Sequence, residues 1–164
     1  MTPEVSIIIP VYNEEKRIIN TLNTITAYFA GSSTVYEIIA VNDGSSDDSQ
    51  KILNDFASVH PQIKVVSYPH NQGKGYAVKK GVAAATAPLI LFSDADLSTP
   101  ITEYKRLKQI MEQGNYDIVI GSRSVKTSDV KIHQPFYREF MGKTFNRIIK
   151  TLLIGEFNDT QCGF

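Results

Sequence analysis

A repeated switch between two hydrophobic rhythms constrains this chain more than any other feature. Short β-branched apolar runs alternate with segments whose apolar residues recur every three or four positions. "VSIIIPVY" (5–12), "YEIIAVND" (36–43), "IKVVSY" (63–68), "LILFSD" (89–94) and "YDIVIGSR" (116–123) are runs of the first kind. They read as strands buried on both faces. Between them, Ile18, Leu22, Ile25 and Phe29 share one helical face. Ile52, Leu53 and Phe56 mark a second helix opening near "GSSDDS", where Ser45 or Ser46 is expected as the cap. Val78, Val82 and Ala85 mark a third, and Tyr104, Leu107 and Met111 a fourth, entered through Pro100. A fifth is expected over 137–153. This alternation implies an α/β fold with a mostly parallel central sheet and helices on both faces.

Length and composition narrow the class. The 164 residues are 42% hydrophobic and 21% charged, the make-up of one globular domain spanning 1–164. The formal net charge of zero argues against nucleic acid as a partner, which calls for a basic footprint. The single cysteine, Cys162, excludes an internal disulfide and points to a reducing, cytoplasmic setting. No run reaches the roughly 18 apolar residues of a membrane span. The opening "MTPEVSIIIPVY" does not resemble a signal peptide.

In a parallel sheet, ligands bind beyond the carboxyl ends of the strands. Those ends carry Tyr12, Asn13 and Glu14, then Asn42 to Ser45, then Asn71 to Gly75, then Asp94 and Asp96, then Arg123. Strand alternation would send Asp94 and Asp96 of "SDADLS" to one side. Two such carboxylates repel unless a cation sits with them, and hard oxygens select Mg²⁺ or Mn²⁺. A helix cap by Asp96 or a solvated turn is the plainer alternative. Asp43 of "VNDGSSD" can accept a hydrogen bond from a nucleobase imide, or can simply end a strand. Lys74, between two glycines at the start of a helix in "NQGKGYAVKKG", makes an anion site or a solvated turn. In the helix over 137–153, Lys143, Arg147 and Lys150 face away from Met141, Phe145, Ile148 and Leu152. That pattern suits either a core-facing helix or peripheral contact with an anionic membrane. Arg138 falls in its apolar sector. His60, His70 and His133 lack the spacing of metal ligands.

Taken in order, "PVYNE" (10–14), "VNDGSSD" (41–47), "NQGKGYAVKKG" (71–81), "SDADLS" (93–98), "GSR" (121–123) and "DTQCGF" (159–164) resemble the family 2 glycosyltransferases. These are inverting enzymes with a Rossmann-like GT-A fold. "REFMGKTFNRIIKTLL" and "DTQCGF" look most like the polyprenyl-phosphate sugar transferases, in particular the dolichyl-phosphate β-glucosyltransferase type. The resemblance implies transfer of glucose or a related hexose from a nucleoside diphosphate sugar, a UDP-sugar first, to a polyprenyl phosphate or glycan. It places Pro10, Tyr12 and Glu14 along the nucleotide, Asp43 and Ser45 by the base, and Lys74 and Gly75 near the diphosphate. Asp94 and Asp96 would hold the sugar or ribose and the divalent metal. Arg123 and Arg138 would grip the acceptor phosphate, with Asp159 and Gln161 completing the acceptor or sugar side. Asn42 departs from the pattern, since the family commonly has the first aspartate of a pair there. The chain stops inside its last motif, so a truncated catalytic domain is expected, at the cytoplasmic face of a membrane if the acceptor is a lipid.

Two other readings compete. "DADLS" also fits the nucleophile loop of an aspartyl phosphatase, with Asp94 as nucleophile and Asp96 as acid/base. That loop normally follows the first strand and needs a later acidic pair, whereas here it follows the fourth. The other is a non-catalytic module that binds nucleotide-sugar without transferring it.

Overall fold

The computed structural model describes residues 2–121. Strands β1 (Val5–Val11), β2 (Tyr36–Asp43), β3 (Ile63–Tyr68) and β4 (Leu89–Phe92) form one sheet in the order β3-β2-β1-β4. Every pairing is parallel. Helices α1 (Ile18–Ala30), α2 (Ser49–Val59), α3 (Lys74–Ala84) and α4 (Glu103–Gly114) alternate with the strands.

β1 is the middle of the structure. It pairs with β2 along its length and with β4 from Val5 to Ile8. Its side chains alternate between two cores. Ile7 and Ile9 pack with Ile18, Leu22, Ile25 and Phe29 of α1, with Leu53 and Phe56 of α2, and with Tyr104 of α4. Ile8, on the other face, packs with Ile39, Val41 and Ala77 of α3. Val5, Ile7, Ile8, Ile9 and Val11 have no exposed surface, and burial of each such side chain stabilises the fold by about 1.5–3 kcal/mol. The parallel sheet with helices on both faces thus matches the sequence expectation.

Three local expectations need correction. The buried face of α3 is Ala77 and Gly81, while Val82 is 42% exposed. The helix lies so close to the sheet that a Cβ at Gly81 would overlap the Ile8 side chain, so small residues form the contact and valine points out. The entry to α4 through Pro100 agrees with the expectation: the helix begins at Glu103, after a turn in which the Glu103 N–H donates to the Pro100 carbonyl at 3.0 Å. Neither Ser45 nor Ser46 caps α2; both are tied to Asn13 instead.

The third correction concerns the run beginning at Tyr116. Its described part, 116–121, forms no strand, and Ile118 is 76% exposed. α4 ends on left-handed Asn115 (φ 50°), and the N–H groups of Asn115 and Tyr116 both donate to the Met111 carbonyl. The Tyr116 ring then folds onto Gly114. Apolar β-branched composition makes a strand only beside a ladder partner, and among the described residues none lies next to this run.

A polar knot fastens the amino ends of the strands. Glu37 of β2 accepts from Ser6 Oγ of β1 (2.6 Å), from the Thr86 N–H (2.7 Å) and Thr86 Oγ1 (2.8 Å), and from Lys64 Nζ of β3 (2.8 Å). Burial alone would raise its pKa. The bonds from Lys64, Ser6 and Thr86 outweigh burial and bring it down to about 2, from an ordinary 4.5. A depressed carboxylate pKa stabilises the fold fully above the unfolded value, and that contribution is lost as pH falls through the folded one. Glu37→Gln is therefore expected to lower stability by about 2 kcal/mol at pH 7. In urea titrations across pH, the gap between variant and wild type should shrink from about 4.5 down through about 2. A gap that stays constant over that range would count against the charge of Glu37 as the source.

Candidate active site

The chain runs outward from β1 to β2 and β3, then returns to β4 on the other flank of β1. At the carboxyl ends of the strands lies a crevice of about 280 Å³. Pro10, Tyr12, Glu14, Asp43, Lys74, Asp94 and Asp96 line it, joined by Val11, Asn71 and Ala95. Sequence positions more than eighty residues apart are brought to one opening by strand order alone. Ser45 and Gly75 do not line it. Arg123, Arg138, Asp159, Gln161 and the helix expected over 137–153 lie outside the described residues.

The "PVYNE" wall is held by the loop after β2. Asn13 takes a left-handed conformation (φ 55°). Its N–H donates to Ser45 Oγ at 3.0 Å, and its Oδ1 accepts from the Ser46 N–H at 2.8 Å. The Glu14 N–H donates to Ser49 Oγ at 2.9 Å, and the Glu15 N–H to Asp47 Oδ2 at 3.1 Å. Ser45 thus supports the crevice wall from behind. The Glu14 carboxylate receives a two-pronged grip from Arg17, at 2.7 Å and 3.0 Å. Tyr12 is 48% exposed at the rim.

Asp43 is a structural hub as well as a wall residue. The residue is 2% exposed. Its carboxylate accepts from the Gln72 N–H (2.7 Å), the Gly73 N–H (2.9 Å) and Asn71 Nδ2 (2.9 Å). These bonds pin the loop that delivers Lys74. Gly44, at φ 66°, lets the chain pass directly under that loop, where a Cβ would stand 2.6 Å from the Asn71 nitrogen. Burial and the neighbouring Asp43 carboxylate push the Tyr68 hydroxyl well above its ordinary pKa.

The two aspartates lie beyond β4, which ends at Phe92 rather than at Asp94. The Ser93 N–H makes one further bond to the Ile8 carbonyl, and then Thr21 Oγ1 of α1 takes the Ala95 carbonyl at 2.5 Å. That bond turns Ala95 inward and leaves Asp94 and Asp96 on the crevice, so a turn brings them together rather than strand alternation. Lys74 Nζ lies 2.5 Å from Asp94 Oδ1. Asp96 Oδ1 accepts from Ser98 Oγ (2.6 Å) and the Ser98 N–H (3.0 Å), so the turn-forming role weighed for Asp96 is present. Burial works to raise the Asp96 pKa, but the Ser98 bonds and the charge of Arg17 prevail and hold it below the ordinary carboxylate value.

Two carboxylates on one crevice fit Mg²⁺ or Mn²⁺, which take one or two protein carboxylates and complete their shell with water and phosphate oxygens. Among the described residues there is no group of three or more His, Cys, Asp or Glu that could hold a metal unaided. No described helix is long and apolar enough to cross a membrane.

Sequence reasoning passed over Arg17, and it named Asn71 and Ser98 only as members of a loop and a motif, with no role of their own. Each had a local signal: Arg17 follows Glu14 at helical i,i+3 spacing, Ser98 follows Asp96 at Asx-turn spacing, and Asn71 opens the loop facing Asp43.

Comparison with known proteins gives a consistent picture. The family model described as Glycosyl transferase family 2 matches residues 6–163. Dolichyl-phosphate beta-glucosyltransferase ALG5C of Trichomonas vaginalis is 37% identical over 166 residues, covering 96% of this chain and 49% of that protein. The chain spans about half the length of the curated relatives it matches. Among solved structures, the mannosyltransferase PcManGT from Pyrobaculum calidifontis, in complex with GDP-Man and Mn²⁺, superposes with a TM-score of 0.51 at 26% identity. That match covers 58% of this chain and 28% of the other. S. aureus TarS gives a TM-score of 0.59 at 25% identity, over 79% of this chain and 24% of its own.

Asp43→Ala would remove the carboxylate that accepts from three donors and leave the Gln72 and Gly73 N–H groups without it, while Asn71 Nδ2 keeps its bond to the residue-43 carbonyl. It is expected to cost about 2–3 kcal/mol of stability. Hydrogen exchange at the Gln72 and Gly73 amides should accelerate well beyond the change at the β1 amides. Uniform acceleration across the sheet would show that the variant weakens the whole domain and that Asp43 has no special hold on the loop.

Proposed function

The chain belongs to glycosyl transferase family 2, and from that premise we propose that it transfers a hexose, glucose first, from a UDP-sugar to a polyprenyl phosphate with inversion at the sugar carbon. The observation that carries this reading is the convergence of Pro10, Tyr12, Asp43, Lys74, Asp94 and Asp96 on one crevice where the strand order reverses. The likeness to a dolichyl-phosphate glucosyltransferase supports the acceptor class and the sugar. The likeness to a mannosyltransferase bound to GDP-Man and Mn²⁺ supports a divalent metal.

In this reading the half-exposed Tyr12 ring flanks the base, Asp43 faces its imide N–H, and Asp94 and Asp96 face the diphosphate and sugar. A divalent metal bound there supplies Lewis-acid neutralisation of the departing diphosphate. Lys74 adds a fixed cation on the same side, and the crevice walls hold the sugar carbon open to attack. A lipid phosphate is already anionic at pH 7 and needs no strong general base. It needs cationic positioning, the role proposed for Arg123 and Arg138, whose planar forks match phosphate oxygens. Asp159 and Gln161 are proposed on the acceptor or sugar side. The basic residues of the helix expected over 137–153 are proposed to rest on the membrane that holds the lipid, on its cytoplasmic side.

Calorimetric titration with UDP-glucose should show binding that needs Mn²⁺ or Mg²⁺ and falls at least about tenfold in Asp96→Ala. Transfer of labelled glucose to a short-chain polyprenyl phosphate should follow and should stop on adding EDTA. Metal-dependent binding without transfer would favour a nucleotide-sugar-binding module. A folded sample that binds no nucleoside diphosphate sugar would sink both readings.

A further inference from the structure

The Lys74–Asp94 pair is the shortest ion pair among the described residues, and both partners line the crevice. Lys74 is the first residue of α3, so its backbone is fixed while its side chain reaches across to the end of β4. Nζ sits 2.5 Å from Asp94 Oδ1 and 5.1 Å from the centre of the Phe92 ring. The carboxylate and the ring face thus attract the ammonium to one place. A magnesium-sized cation on the same carboxylate stands about 2.1 Å from its oxygen. It would then lie within a few ångströms of Nζ, and two cations at that distance repel. Asp96 also lines the crevice, with Oδ1 engaged by Ser98, but it does not remove the Lys74 ammonium from Asp94. A diphosphate alters the balance. Its oxygens give Lys74 another anion to hold and give a metal further hard ligands.

We propose that Lys74 is a switchable counter-ion. It occupies Asp94 against a bare divalent cation and swings to the diphosphate when nucleotide enters, so that metal and nucleotide bind as one cooperative unit. The inference rests on the nucleotide-sugar reading for its second position. Its first position stands on the Lys74–Asp94 contact alone. The device keeps the crevice from holding metal unproductively, and it places a released cation beside the phosphates at the moment they arrive.

The test uses the full chain and reads binding. Mn²⁺ alone is titrated and followed by the electron paramagnetic resonance signal of the free ion, in wild type, Lys74→Met and Lys74→Met/Asp94→Asn. Removing a partly exposed competing cation should tighten Mn²⁺ binding about fivefold in Lys74→Met, and the double variant should lose that gain. UDP is then titrated with and without Mn²⁺. The factor by which Mn²⁺ improves UDP binding should be smaller in Lys74→Met than in wild type. Lys74→Met that matches wild type by circular dichroism but binds Mn²⁺ no tighter overturns the switch and leaves the proposed function standing. Wild type that binds no UDP at saturating Mn²⁺ overturns the proposed function and the second position of Lys74 together.

Discussion

The structure depends on β1 being bonded on both edges and covered on both faces. A parallel strand so enclosed can expose only its tips. The amino tip is closed by polar bonds, and the carboxyl tip becomes the floor of the crevice. β2 and β4 pair with opposite edges of β1, so residues that follow all three strands line one opening above that floor. The crevice is therefore a consequence of strand order, and the side chains around it occupy an opening the backbone has already made.

Two buried carboxylates on β2 serve the two ends of the sheet differently. Glu37 draws together β1, β3 and the connection before β4, with a lysine from β3 compensating its charge. Asp43 has no lysine or arginine among its bonded partners and is held by backbone and amide donors. One end is fastened by opposite charges, and the other keeps a net negative patch beside two further carboxylates.

The strands and most of the crevice were legible in the sequence because each rests on a one-dimensional signal. Apolar β-branched runs located β1 to β3 to within a residue or so, and the polar residues after them located the crevice walls. Misreadings arose where a three-dimensional distance decided the outcome. Val82 looked like a core residue by spacing, but the closeness of α3 to the sheet left room only for Ala77 and Gly81. The run from Tyr116 had a strand's composition, yet strand formation needs a neighbour that composition does not supply. Asp94 and Asp96 share the crevice beyond the end of β4, in a turn where Thr21, more than seventy residues earlier, captures the Ala95 carbonyl. Lys74 was expected near phosphate, and nothing local announced that Asp94 would hold it.

The small-residue face of α3 carries a mechanical implication. Ala77 and Gly81 set how deeply the helix sits against Ile8 and its neighbours, and Lys74 stands one turn before Ala77 on the same rigid rod. The depth of that seat is thus a calibration of the gap between an ammonium and a carboxylate across the crevice. A single methyl group added beneath the rod would lift it and reset the gap. Ligand affinity in such an arrangement is tuned from below the helix, at positions no ligand touches.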